Sequence, residues 1–261
     1  MKREGTPGAR DEWGNQMRRR NILAGAALLA APVLMLRAMG GREEEAFDFR
    51  PLPSAPGFRS LEGGAVSVAG DPLIGLASPG ADAPAAPIGM AALCGVLFGD
   101  DPSPEGTVPV AYFTDYNCPY CGQLSARLRD REAAGLPLTW HELPLLGASS
   151  EAAARAALAA HRQNAYPEFH ARLMRAAFQP TDAYVADLAR GLGLDAERLL
   201  ADMQGPEVTG ALTDSRRAAR RLAIGATPTL VVGRTVVTGL VPEARLDALI
   251  ALERAEGPQP C

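Results

Sequence analysis

Between residues 107 and 255 the hydrophobic pattern runs strand–helix–strand, then a long helical stretch, then strand–strand–helix. No other feature of the chain constrains its fold as strongly. Val108–Phe113 is a short apolar run rich in β-formers, as expected of a buried central strand. A helical pattern follows Cys118, with Leu124, Ala126 and Leu128 on one side and Arg127, Arg129 and Arg131 toward the other. Gly135 and Pro137 end it, and Leu138–Leu143 reads as a second strand. Residues 149–223 then read as nearly continuous helix with breaks. Ser149 or Ser150 can cap the Ala-rich run Ala152–Ala160, and Pro167–Ala177, Thr181–Gly191, Asp195–Met203 and Pro206–Leu222 follow. Thr229–Val232 and Thr235–Thr238 flank the two-residue turn Gly233-Arg234. Pro242 opens a last helix whose inner face carries Leu246, Leu249, Ile250 and Leu252. The fold class is therefore α/β, a βαβ half and a ββα half separated by a helical insertion at 149–223.

The flanks differ from this core. Arg18, Arg19 and Arg20 precede an apolar run, Ile22 to Leu36, that is uncharged until Arg37. That is the layout of an export signal, and Arg19-Arg20-Asn21-Ile22-Leu23 resembles a twin-arginine signal. The run is short against the roughly 20 residues that span a bilayer. No small-x-small cleavage site follows it. Residues 1–40 are thus read as a cleaved export signal or an uncleaved N-terminal membrane anchor through residues 22–36. Either one places the protein outside the cytoplasm, in the periplasm, where disulfides persist. Residues 41–106 are dense in Pro and Gly and are expected to form an extension without long regular elements. One short helix is expected there, at Ala91–Phe98, and it carries Cys94.

Lys and Arg total 26 and Asp and Glu 30, a net charge of −4, which argues against a nucleic-acid partner. Of the four cysteines, Cys94, Cys118, Cys121 and Cys261, only the middle two have a diagnostic spacing.

Cys118-Pro119-Tyr120-Cys121 lies between a predicted strand and a predicted helix. A free thiol has a pKa of about 8.5, whereas disulfide exchange needs a thiolate. A helix N-terminus supplies unpaired N–H groups and partial positive charge to stabilise one. Pro119 suits the first helical turn, where its missing N–H would be unpaired anyway. Tyr120 fills the other position between the cysteines. Cys118 is the expected nucleophile, and Cys121, two residues on, the resolving cysteine of a redox-active disulfide. Asp115 and Glu142 are candidate acceptors of the Cys121 proton; the alternative readings are a turn residue and a solvated strand end. His141, His161 and His170 are expected as ordinary surface or packing histidines, and Trp140 as core. A Cys-x-x-Cys can also be half of a zinc site, but Cys94 and Cys261 are remote and no His-x-x-x-His is present. No metal is expected, and no cofactor beyond the disulfide itself. Cys94 and Cys261 are a possible structural disulfide, with two independent thiols as the alternative.

The element order, the Cys118–Cys121 motif and the later Gly225-Ala226-Thr227-Pro228-Thr229 together resemble the DsbA-like thiol:disulfide oxidoreductases of the thioredoxin superfamily. The resemblance covers about residues 107–255. Phe113-Thr114-Asp115-Tyr116 and Leu143-Pro144-Leu145-Leu146-Gly147 belong to it, and residues 1–106 depart from it. It implies a thioredoxin-like fold, a cis Thr227–Pro228 bond beside the reactive cysteine, and a Pro228 that denies metals access to the sulfurs. It also implies that Thr227 offers its backbone to a substrate peptide as an extra strand. The implied partners are unfolded or thiol-bearing exported proteins and a membrane or periplasmic redox partner. A dithiol oxidase is the first reading of the activity. A reductase or isomerase, a glutathione-linked glutaredoxin-like enzyme and a non-enzymatic copper chaperone are the alternatives.

Overall fold

The computed structural model describes residues 47–68, 88–99, 104, 106–176, 180–257 and 261. The leader expected at residues 18–36 lies outside these. Among the described residues no helix is long and apolar enough to cross a membrane.

Among the described residues, eight strands form two sheets. They are β1 (Arg50–Pro51), β2 (Arg59–Glu62), β3 (Ser67–Val68), β4 (Val110–Thr114), β5 (Leu138–Glu142), β6 (Ala226–Thr227), β7 (Thr229–Val232) and β8 (Thr235–Thr238). The large sheet has the order β1-β2-β8-β7-β4-β5, and β3 and β6 form a separate pair. The helices among the described residues are α1 (Met90–Phe98), α2 (Pro119–Ala133), α3 (Ala148–His161), α4 (Tyr166–Leu173), α5 (Asp182–Gly191), α6 (Ala196–Asp202), α7 (Pro206–Arg221) and α8 (Glu243–Ala255).

All five residues of β4 are buried, as befits a central strand. It runs parallel to β5 and antiparallel to β7. Strand alternation sends its side chains to opposite faces. Ala111 and Phe113 join Leu93 and Leu97 of α1 and Ala218 and Ala219 of α7 in one core. Tyr112 points the other way, and its hydroxyl reaches Ser125 on α2. Arg131 on α2 pairs with Asp247 on α8 at 2.5 Å. The insertion α3–α7 has its own core, in which the alanines of α3 let Phe169, Leu173, Val185, Leu199 and Leu212 pack closely.

Part of residues 41–106 belongs to the sheet, and two other expectations are corrected. β2 pairs in parallel with β8 over Arg59↔Thr235 to Glu62↔Thr238. Arg59 then bonds Glu253, a fully buried carboxylate of α8, at 2.7 Å. The Pro and Gly residues keep these strands short without preventing their pairing. The α3 helix has Gly147, not a serine, at its N-cap. Ser149 and Ser150 are engaged instead by Asn117 and Asp115. The helix expected to run from Pro167 to Ala177 spans Tyr166–Leu173, and Ala177 lies outside the described residues.

Candidate active site

Cys118 is the N-cap of α2, in extended conformation, and Pro119 occupies the first turn. Pro119 is exposed and Tyr120 half-buried. Cys118 is 3% exposed and Cys121 is fully buried. Both are free thiols. The Thr227–Pro228 peptide is cis. The Thr227 carbonyl lies 3.3 Å from the Cys118 sulfur, which donates to it when protonated.

The two thiols are set far apart in acidity. The Cys121 thiol donates to the Cys118 sulfur and is the largest cause holding the Cys118 pKa down, to about 6. The Ser67 and Thr227 side chains and the Cys121 N–H act in the same direction, against burial. Thr227 Oγ1 is buried without a hydrogen-bond partner. It is therefore available to donate once a thiolate forms. Cys121 is pushed far above the usual thiol range, first by burial and then by its contact with Cys118. One sulfur is thus a thiolate near neutral pH, while the other holds its proton. That is the state a nucleophile and a resolving cysteine need.

The two candidate carboxylates have different surroundings. Asp115 is buried, and its two oxygens accept four hydrogen bonds. The donors are Asn117 N–H at 2.8 Å, the Ser150 hydroxyl at 2.5 Å, Leu145 N–H at 2.6 Å and Leu146 N–H at 3.0 Å. It is the turn residue of the alternative reading, clamping the loop before α3 to the loop before Cys118. Glu142 is not a solvated strand end, because it is 1% exposed. Its Oε1 accepts from the Tyr116 hydroxyl at 2.8 Å and the Tyr166 hydroxyl at 2.7 Å, and lies 3.4 Å from His170 Nδ1. The parallel β4–β5 pairing sets Glu142 beside Thr114, which places it inside the insertion's contact with the sheet.

From Glu142 a chain of contacts continues to the Cys118–Cys121 pair. His170 Nδ1 is also 2.7 Å from the Tyr116 hydroxyl oxygen. His170 Nε2 is 3.2 Å from Ser125 Oγ, and Ser125 is 3.1 Å from the Tyr112 hydroxyl. The Tyr112 hydroxyl donates to the Cys121 carbonyl at 3.1 Å. Trp140 stacks at an angle between Tyr112, Tyr166 and His170 and donates to Glu132. His141, stacked on Phe113 and bonded to the Leu97 carbonyl, is held by burial at a pKa of about 4. His161 is exposed.

Sequence reading missed Tyr112, Tyr116, Ser125, Tyr166 and His170 as neighbours of the site, and also Ser67. Two signals were available. A tyrosine stands in an otherwise aliphatic buried strand, and Ser125 lies four residues after Cys121 on the same helix face.

Cys94 on α1 and Cys261 at the C-terminus are joined by a disulfide with a Cα–Cα distance of 5.3 Å. Among the described residues no cluster of three or more His, Cys, Asp or Glu could hold a metal ion.

Comparison with known proteins agrees with this arrangement. The chain is 40% identical to a thioredoxin-like oxidoreductase from Silicibacter pomeroyi, over 62% of this chain and 96% of that one, with a TM-score of 0.55. It is 27% identical to the oxidoreductase DsbA from Xylella fastidiosa, over 59% of this chain and 90% of that one, with a TM-score of 0.50. It is also 32% identical over 135 residues to the Na(+)/H(+) antiporter NhaA 3 of Salinispora tropica. That match covers 49% of this chain and 20% of the antiporter's length, so the chain spans about a fifth of that curated relative. The family model for the DSBA-like thioredoxin domain matches residues 109–251. A chain with this sheet, this helical insertion and this match over more than half its length belongs to the DSBA-like thioredoxin domain family.

Proposed function

We propose that the protein is a thiol–disulfide oxidoreductase that donates its Cys118–Cys121 disulfide to thiol-bearing exported proteins. The observation that carries this reading is the unequal pair at the α2 N-terminus, with the Cys118 pKa lowered to about 6 and that of Cys121 raised by burial. A stabilised thiolate favours the reduced form of the pair, which makes its disulfide an oxidant.

The exchange balances without any other cofactor. A client thiolate attacks the Cys118 sulfur of the disulfide. The S–S bond to Cys121 breaks, and Cys121 leaves with the electron pair and takes up a proton. A second client thiolate then attacks the client sulfur of the mixed disulfide and releases Cys118 as a thiolate. The client gains a disulfide, the protein is left as a dithiol, and a redox partner must reoxidise it. In this scheme Asp115 shapes the loop beside the cysteines. Glu142 is a positioning residue, since its hydrogen bonds go to Tyr116, Tyr166 and His170 and reach the pair only through Ser125 and Tyr112. The basic-then-apolar leader at residues 18–36 supports export to the periplasm. So does the Cys94–Cys261 disulfide, which an oxidising compartment preserves.

The test is the reduction potential of the pair in glutathione redox buffers. An oxidase gives a value above about −200 mV, whereas one near about −270 mV assigns a reductase. Cys118→Ser abolishes exchange and Cys121→Ser accumulates mixed disulfides with clients. Full exchange activity in Cys118→Ser would overturn the reading.

A further inference from the structure

Cys118 is buried at 3% exposure although its chemistry requires attack by a macromolecular thiol. Part of what covers it is β3. Ser67 and Val68 pair antiparallel with Thr227 and Ala226, the two residues immediately before Pro228. This is the backbone edge expected to receive a client peptide as an added strand. Ser67, half-buried, stands opposite Thr227, and its side chain helps to hold the Cys118 pKa down. Its strand neighbours Val66 and Val68 turn outward, at 37% and 58% exposure, and are the exposed large hydrophobics among the described residues. Alternation along an extended segment explains the difference in exposure.

The approach to β3 is firmly held. Gly63 N–H donates to the Thr238 carbonyl at 2.7 Å, and Leu240 N–H donates to the Ala65 carbonyl at 2.9 Å. Gly64 and Gly239 both have positive φ and nearly touch: a Cβ on Gly239 would lie 2.3 Å from the Gly64 carbonyl oxygen. Among the described residues, the preceding β2 has four residue pairs with β8 and β3 has two with β6. The segment is thus anchored at β2 and the glycine crossing before it meets β6 beside Cys118.

We infer that β3 is a resident stand-in for the client: it occupies the β6 edge on which an extended, cysteine-bearing segment docks, with Ser67 where the client cysteine would lie. Serine has the shape of cysteine with oxygen in place of sulfur, so it fills the position without exchanging. The inference deepens the proposed function and rests on it. It defines the substrate class as an extended segment antiparallel to β6, with its cysteine opposite Thr227. Because residues flanking that position point to solvent, recognition runs through the backbone and tolerates varied client sequences. A client must displace β3, so its apparent affinity is reduced by the fraction of molecules in which the edge is open.

Two experiments on the full chain test this. In the first, Ser67→Cys is made together with Cys121→Ser and treated with oxidised glutathione. Cys118 attacks glutathione disulfide and releases one glutathione thiolate. The introduced thiolate then attacks the Cys118 sulfur, forms a 67–118 disulfide and releases the second glutathione. Alkylation, proteolysis and mass spectrometry should find residues 67 and 118 linked in most molecules. A Cys118 that stays glutathionylated beside an alkylated residue 67 overturns the inference. A Cys118 inert to oxidised glutathione overturns the proposed function, and the inference falls with it.

In the second, Val68→Pro places a proline in β3, where its fixed φ and missing N–H disfavour the pairing with β6. Exchange is measured with a cysteine-bearing unstructured peptide and with dithiothreitol, which is too small to need the strand edge. The ratio of the peptide rate to the dithiothreitol rate should rise about tenfold. A ratio that is unchanged or lower overturns the inference, and far-UV circular dichroism checks that the variant is folded.

Discussion

The Tyr112 hydroxyl crosses from β4 to the main chain of α2 and donates to the Cys121 carbonyl at 3.1 Å. The same oxygen lies 3.1 Å from Ser125 Oγ, so one phenol holds the first turn of the helix that carries the reactive pair. Tyr112 is fully buried, and burial raises its pKa well above the ordinary phenol value. It is therefore a neutral donor across the physiological range.

Tyr112→Phe removes this donor while keeping the ring. It should destabilise the protein by about 1–2 kcal/mol, because the Cys121 carbonyl and Ser125 lose a buried partner. Urea denaturation with an unchanged slope would measure it. A role in positioning Cys121 also requires slower attack of Cys121 on a mixed disulfide at Cys118, the reverse of the client's entry step. Trapped adducts should outlast those of wild type in a quench experiment, a readout that a purely structural role would not move.

Asp115→Ala should cost about 3 kcal/mol or more, since four donors lose their shared acceptor. Asp115→Asn should recover part of it. If Asp115 only shapes the loop, the pH profile of the resolving step in Asp115→Asn matches wild type. A displaced profile would make Asp115 a proton carrier.

The acidity of Cys118 is directly observable. The rate of its alkylation by iodoacetamide should rise with a midpoint near pH 6. In Cys121→Ala, which lacks the largest cause of the shift, the midpoint should move toward the free-thiol value of about 8.5. The consequence for stability follows from linkage. Cys118 has a lower pKa folded than unfolded, so it stabilises the reduced protein as a thiolate. That contribution is complete above the unfolded value of about 8.5, declines as pH falls, and is lost below about 6. Cys121, with its raised pKa, opposes stability only at alkaline pH. Thermal denaturation of the reduced protein across pH 5 to 9, under argon, checks the sign.

Arg59→Ala tests whether β2 is integral to the domain. Arg59 bonds the buried Glu253 at 2.7 Å, and Arg234 bonds the same carboxylate at 3.3 Å. Losing one of the two cations should cost about 2 kcal/mol, measured by chemical denaturation. A loss within error of zero would return residues 59–62 to the status of a dispensable extension.

Cys261→Ser should lower stability by about 2–4 kcal/mol under non-reducing conditions. It opens a loop with a sequence separation of 167 between Cys94 and Cys261. Dithiothreitol should have a correspondingly smaller effect on the variant than on wild type.

Local chemistry explains which parts of the site were legible in the sequence. A thiol placed after a strand and before Pro119 marks a helix N-cap by adjacency alone, and Thr227-Pro228 marks the junction before the β7–β8 hairpin in the same way. The element order followed from hydrophobic periodicity, which is a property of each segment by itself. Tertiary structure alone decided what surrounds those sulfurs. Tyr112, Ser125, Glu142, Tyr116, Tyr166 and His170 come from β4, α2, β5, α4 and the loop after β4, and only parallel pairing and helix docking bring them together. Ser67 stands at the furthest extreme: a two-residue strand in a Pro/Gly-rich stretch has no periodicity to read, and its partner Thr227 lies in the other half of the chain. The sequence by itself placed Cys118 at the start of a helix, where a thiolate is favoured. Folding alone determined that the chain lays its own serine against it, because strand pairing is a long-range contact that no local pattern encodes.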